Sequence, residues 1–325
     1  MPMIVAESSA LHLSTEDARA VDEVANRLAV SAGSEVDAPE WVAAARAAWD
    51  DLPATLRRPV REFRRNSGLS GSMLIRGLPV DPAELPATPS LLGSVQRFAT
   101  GPAAILLMLA TGLGDPLAYR SEKSGALVQD VVPVPGKEDF QGNAGSVTLA
   151  FHVENAFHPY RPDYVALLCL RSDHDRAADL RVACVRKLLR LLSSASRQAL
   201  RRTEFSTAPP PSFGEFGSET SVHPVISCDG EDPDLVVDLE ATNPLTREAR
   251  DALRELRDLF DRTAQAIRLA PGDLAVVDNR VAVHGRTSFR PQYDGMDRWL
   301  QRTFITADLR RSRAHRPGDG YVLAD

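Results

Sequence analysis

The pattern of apolar and polar positions divides the chain near residue 115. Upstream of it, apolar residues recur at helical spacing. "EDARAVDEVANRLAV" follows the capping run Ser14-Thr15-Glu16-Asp17, and "PEWVAAARAAWDDL" carries proline in its first turn. "PATLRRPVREFRRNSG" predicts a third helix that stops at Gly68. "SGSMLIRGLPV" differs: a short apolar run bounded by glycine and proline predicts a strand. "PSLLGSVQRFAT" and "GPAAILLMLATGLG" return to helical spacing.

Downstream the runs shorten to "ALVQDVVPV", "GSVTLAFHVE", "DYVALLCLR", "VHPVISC", "DLVVDLE", "DLAVVDN", "VAVHG" and "RWLQRTFIT". Many short strands separated by Gly, Pro and Asp predict an antiparallel sandwich or barrel. Two helices interrupt it. One is "RVACVRKLLRLLSSASRQALRR". The other is "TREARDALRELRDLFDRTAQAIRL", with Leu253, Leu256, Leu259, Phe260, Ala264 and Ile267 on one stripe. "APPPSFGEFGSE" (208–219) reads as a loop, and no repeat or low-complexity tract occurs. The expectation is an α+β class, mainly β, in a single domain over 1–325. Residues 1–114 would be mainly helical decoration, and 115–310 a β core with helical insertions.

Composition narrows the partners. The 43% hydrophobic and 25% charged fractions are those of a soluble globular chain. A net charge of −6 argues against a nucleic-acid binder, which needs a basic face. Three cysteines (Cys169, Cys184, Cys228), far apart and without a CxxC, predict no disulfide framework. "MPMIVAESSALHLS" lacks a basic n-region, and "AAILLMLATGLG" is too short to span a bilayer. A cytoplasmic protein with no membrane partner is expected; oligomeric state stays open.

The chemistry concentrates in "FHVENAFHPY" (151–160). In a strand, residues i and i+2 share a face about 7 Å apart, so His152 and Glu154 converge while Phe151 and Val153 face away. A third metal ligand must come from elsewhere, and His284, late in "DLAVVDNRVAVHGRT", is the best candidate. Two His plus one carboxylate with open positions is the facial triad of ferrous oxygenases, whereas zinc favours tetrahedral sites. In "RWLQRTFI" Arg298, Leu300, Arg302 and Phe304 share one face, and inward guanidinium groups clamp carboxylates. Two alternatives stand beside the oxygenase: a non-iron cupin-like metal protein or hydrolase, and a non-catalytic β-sandwich binding module. His158, before a proline in a turn, reads as structural, and His174, in "RSDHDR", as exposed.

"FHVENAFHPYRPDYVALLCLR" and "DLAVVDNRVAVHGRTSFRPQYDGMDRWLQR", with the weaker "YRSEKSGALVQDVVPVPGKE", resemble the clavaminate synthase-like Fe(II)/2-oxoglutarate oxygenases. Within that group they are most similar to the β-hydroxylases of free arginine and asparagine used in peptide antibiotic biosynthesis. The resemblance implies a double-stranded β-helix (jelly roll, cupin-like) core with flanking helices. It implies Fe(II) on His152, Glu154 and His284, with 2-oxoglutarate and O2 as co-substrates and Arg298 on the distal carboxylate of 2-oxoglutarate. Arg302 would meet the α-carboxylate of an amino-acid substrate, with Glu122, Asn143, Asp238 and Glu240 as further contacts, the last two on one strand face of a lid. Hydroxylation at C3 is implied first; C4 hydroxylation and desaturation stay open. The group often places a hydroxyl-bearing residue after the "LCLR" strand to touch the co-substrate carboxylate. Here "DRAADLRVACV" puts Leu180 and Arg181 there, so that contact needs another group.

Overall fold

The computed structural model describes residues 10–31, 33, 35–213, 221–227 and 232–324. Two sheets carry the core. The larger runs through Leu11–His12, Ser72–Arg76, Leu274–Asp278, Tyr164–Arg171, Trp299–Thr306, Asp115–Tyr119 and Val322–Leu323, with Gln129–Val131 also paired to Trp299–Thr306. The smaller runs through Gln265–Ile267, Leu180–Cys184, Ala282–Arg286 and Leu149–His152. All pairings are antiparallel except the two at the edges of the larger sheet.

The alternation of the central strand explains the layering. "YVALLCLR" is buried at every position, so it must be covered on both faces. Val165, Leu167 and Cys169 enter the apolar core that also holds Phe151, Val182 and Val283 of the smaller sheet. Ala166, Leu168 and Leu170 face the opposite way, into a second core made with the helices. Those helices are Thr15–Ser31, Pro39–Asp50, Ala54–Arg65 and Gly101–Leu113. Ser14 caps the first, its Oγ accepting from the Asp17 amide at 3.0 Å. Gly101–Leu113 is apolar nearly all round because it is buried between its neighbours and the sheet. Among the described residues no helix is long and apolar enough to cross a membrane. On the far side, Arg247–Thr263 lays Leu253, Leu256, Leu259 and Phe260 inward, with Phe260 5.7 Å from Phe151.

Several expected elements differ. "PSLLGSVQRFAT" is not helical: Gly93 has φ +83°, Leu91, Leu92 and Phe98 are exposed, and Val95 and Phe98 make isolated bridges. The helix expected over 181–202 opens as the strand Leu180–Cys184, and only Val185–Leu188 and Ser194–Ala199 are helical. Its apolar spacing suits a helix, but neighbouring strands on both sides supply ladder partners, and Ser193 starts a new cap at 193. The second long helix ends at Thr263, and Gln265–Ile267 joins the smaller sheet. "VHPVISC" and "DLVVDLE" form only the two-residue strands Val222–His223, Ile226–Ser227 and Asp234–Leu235. Of the loop expected over 208–219, Pro211–Phe213 forms a 3-10 turn and residues from 214 lie outside the described residues, as does Cys228. Cys169 and Cys184 are buried and form no disulfide.

Candidate active site

The smaller sheet brings the two histidines together. His284 and His152 are directly opposite in the Ala282–Arg286 and Leu149–His152 ladder, and their ring centroids lie 4.5 Å apart. Gly285 makes this approach feasible, since a Cβ there would stand 2.6 Å from the Leu149 carbonyl oxygen. A register shift between His284 and Arg286 accompanies it. Glu154 follows the strand end, and its Oε1 lies 3.3 Å from His284 Nε2. One ligand atom from each of His152, Glu154 and His284 falls within 4.8 Å of the others.

Glu154 is held from behind by Asn279, a side chain with 0% exposure. Asn279 Oδ1 accepts from the Glu154 amide at 2.7 Å, and Nδ2 donates to the carbonyls of Glu154 (3.1 Å) and Pro162 (2.9 Å). The next residue, Asn155, takes φ +51°, a left-handed conformation that Asn tolerates. That turn lets Asn155 Nδ2 donate to Glu122 Oε2 at 3.2 Å.

The donor set fits a divalent iron ion. His152 Nδ1 meets the Ala150 carbonyl at 2.9 Å, which fixes the Nδ1–H tautomer and leaves Nε2 as the free lone pair. Burial, then the charge of His152, lowers the pKa of His284, which favours the neutral imidazole that a metal needs. Burial pushes the Glu154 carboxyl up, but the Arg302 guanidinium and the two imidazoles outweigh it and hold the acid well below the usual carboxylate range. Two imidazoles and one carboxylate, with His284 Nδ1 buried and unpartnered among the described residues, form a 2-His-1-carboxylate set.

Arg302 is the hub beside this set. Its Nη1 donates to Glu154 Oε1 at 2.9 Å, and its Nη2 donates to Glu122 and to Gln129. With its amide oxygen turned toward the guanidinium, Asn143 accepts from both Nη atoms at 3.1 and 3.2 Å. Burial lowers the Arg302 pKa, yet the charges of Glu154 and Glu122 more than reverse it. The segment carrying Asp238 pairs with the metal strand: Asp238 bridges His152, Val153 N donates to Val237 O, and Leu239 N donates to Phe151 O. Asp238 Oδ1 accepts from the amides of Glu240 and Ala241. Glu240 is therefore an exposed turn residue, not the strand-face partner of Asp238 that the alternation predicts.

Arg298 stands apart from that hub. It is buried, lies 5.8 Å from the Phe289 ring centroid, and makes no ion pair among the described residues. Burial lowers its pKa, and the charge of Asp173 does not reverse it.

Other readings resolve simply. His158 is buried and accepts from the Tyr160 amide at 3.0 Å, shaping the turn beyond Glu154. His174 is exposed and lies near Asp294 (3.1 Å) and Asp297 (3.8 Å). Asp297 spends its oxygens on the amides of Gln292 and Tyr293, so that cluster is a loop clasp. Four residues near the site escaped the motif reading: Asn279, Asn155, Gln129 and Arg286. Only "DNR" before the distal-histidine strand hints at one of them, since a turn Asn there can serve backbone groups.

Residues 39–304 match the family described as "Taurine catabolism dioxygenase TauD, TfdA family". The chain is 61% identical over 311 residues to L-asparagine oxygenase of Streptomyces coelicolor, covering 96% of this chain and 93% of that protein. It is 34% identical over 262 residues to clavaminate synthase 2 of Streptomyces clavuligerus, covering 79% and 80%. A crystal structure of asparagine oxygenase in complex with Fe(II), 2S,3S-3-hydroxyasparagine and succinate superposes with a TM-score of 0.95. Identity there is 59%, over 98% of this chain and 100% of the other.

Proposed function

The chain belongs to the TauD/TfdA dioxygenase family, and from that premise we propose that it hydroxylates free L-asparagine at C3, using Fe(II), 2-oxoglutarate and O2. It is a non-haem oxygenase acting on a free amino acid, as its similarity to an L-asparagine oxygenase and the product-bound structure support. We read the two-sheet core as the family's double-stranded β-helix, and the chain as one catalytic unit acting in the cytoplasm. His152, Glu154 and His284 would hold the iron. When bound, that ion couples oxidative decarboxylation of 2-oxoglutarate, to succinate and CO2, to insertion of one oxygen atom into a substrate C–H bond.

The observation that carries the reading is Arg302. It is a buried guanidinium that touches a metal-ligand candidate and sits among Glu122, Gln129 and Asn143. A free amino acid presents a carboxylate and an ammonium on one carbon. Arg302 would take the first in exchange for its Gln129 and Asn143 contacts, and Glu122 offers an acceptor for the second. Fixing those two groups beside the triad leaves C3 as the nearest carbon of the side chain. Close positioning of this kind accounts for selectivity, because a small displacement costs rate steeply.

The side-chain end supports an amide over a guanidinium. A guanidinium calls for two acids or a bidentate one, whereas Asp238 has one oxygen engaged by backbone amides and Glu240 is turned to solvent. One free carboxylate oxygen suits the NH2 of a carboxamide. The test is substrate-dependent succinate release across the twenty free amino acids. L-Asparagine should give the highest kcat/KM; release that is highest with arginine or lysine would refute the substrate assignment.

A further inference from the structure

The site contains a second buried cation that the triad and the substrate hub leave unused. Arg286 lies two residues after His284 on the same strand, so its side chain points to the same side. The ladder with Leu180–Cys184 is regular there: His284 is opposite Val182, and Arg286 is opposite Leu180. Val182 and Leu180 both belong to the core between the sheets, which places Arg286 on the inner side of the smaller sheet. It is 4% exposed, and its guanidinium carbon lies 4.9 Å from the Phe289 ring centroid. Arg298 approaches the same ring at 5.8 Å.

Neither guanidinium makes an ion pair among the described residues. Arg286 donates one hydrogen bond, from Nη2 to the Val147 carbonyl at 2.9 Å, and its Nε is buried without a partner. Asp173, an acid whose charge acts on Arg298, spends its carboxylate on the amides of Ala177 and Ala178. By contrast, buried Arg302 has Glu154 and Glu122. Two buried like charges around one aromatic ring are unfavourable unless an anion joins them. A carboxylate can accept from two donors at once, and the place is one strand-step beyond a metal ligand.

We propose that Arg286 and Arg298 together clamp the distal carboxylate of 2-oxoglutarate, with Arg286 in place of the hydroxyl contact that Leu180 cannot make. The inference rests on the oxygenase reading above. Phe289, itself buried, lies against both guanidinium groups. Arg286 is a binding residue for the co-substrate and has no contact with the amino-acid substrate.

The test is an anaerobic titration of the Fe(II)-loaded protein, reading the charge-transfer absorbance of the bound 2-oxoacid. Two ligands are compared: 2-oxoglutarate, and 2-oxovalerate, which lacks the distal carboxylate. In Arg286→Met the Kd for 2-oxoglutarate should rise about 10- to 100-fold, the range expected for one charge-assisted hydrogen bond. The Kd for 2-oxovalerate should stay within about twofold on the same argument. Arg286→Lys, which keeps the charge but loses the fork, should raise the 2-oxoglutarate Kd less and leave 2-oxovalerate unchanged; it serves if the Met variant fails to fold. An unchanged 2-oxoglutarate Kd, or equal weakening of both ligands, overturns the proposal and makes Arg286 a strut for Val147. If the unaltered protein gives no band with 2-oxoglutarate, the oxygenase reading itself fails, and this inference with it.

Discussion

Asn279 offers the sharpest way to separate the fold from the metal centre. Asn279→Ala removes three hydrogen bonds at a position with 0% exposure: one accepted from the Glu154 amide and two donated to the carbonyls of Glu154 and Pro162. Each is worth about 1 kcal/mol net, and a buried group left unsatisfied costs about 1–3 kcal/mol. The substitution should therefore destabilise the protein by roughly 3–5 kcal/mol, a fall in Tm on the order of 10 °C for a chain of this size. Because the same bonds aim the backbone of a ligand, Fe(II) affinity should fall about 10- to 100-fold, as for other supporting contacts of metal ligands. Asn279→Asp keeps the acceptor for the Glu154 amide but sets a buried carboxylate oxygen against the carbonyls of Glu154 and Pro162, so it should destabilise at least as much as Ala. The assay pairs thermal unfolding with anaerobic Fe(II) titration. A lowered Tm with Fe(II) affinity within about twofold of normal would show that Asn279 merely holds the turn, and the argument about Glu154 would be refuted.

Three further outcomes follow from the same geometry. Gly285→Ala would force a Cβ to within 2.6 Å of the Leu149 carbonyl, so stability should fall by about 1–3 kcal/mol and Fe(II) binding should weaken; an unchanged metal affinity would mean the strands need no such close approach. Arg302→Lys should raise KM for asparagine more than about tenfold, since a lysine cannot form the bidentate fork, while substrate-independent turnover of 2-oxoglutarate persists; equal loss of both activities would count against a substrate role. Asp238→Asn should narrow the preference for L-asparagine over L-aspartate, whose carboxylate would face a like charge in the unaltered protein; a preference that does not move would place the side-chain clamp elsewhere.

The site was legible where chemistry and period coincide. His152 and Glu154 stand two apart in a run of strand composition, and His284 and Arg302 lie in runs of strand composition too. Long-range register was not legible. Nothing local says that His284 pairs with His152, or that Leu180 lies opposite Arg286, because those pairings are set by the stacking of two sheets. "RVAC" shows the cost: its apolar spacing fits a helix, and only its neighbours in the sheet make it a strand. Asn279 and Asn155 act through backbone groups, and such work leaves no periodic signature. Glu240 fails the alternation because the strand stops at Leu235 and Asp238 folds its carboxylate back onto the amides of Glu240 and Ala241 in a turn.

The most direct test of the account is the product itself. The protein, loaded with Fe(II) and given 2-oxoglutarate, O2 and L-asparagine, should release succinate and an asparagine carrying one added oxygen in equal amounts, with NMR placing the hydroxyl on C3. His284→Ala should give neither. A hydroxyl on another carbon would contradict the positioning argument built on Arg302, and undiminished product from His284→Ala would contradict the metal centre itself.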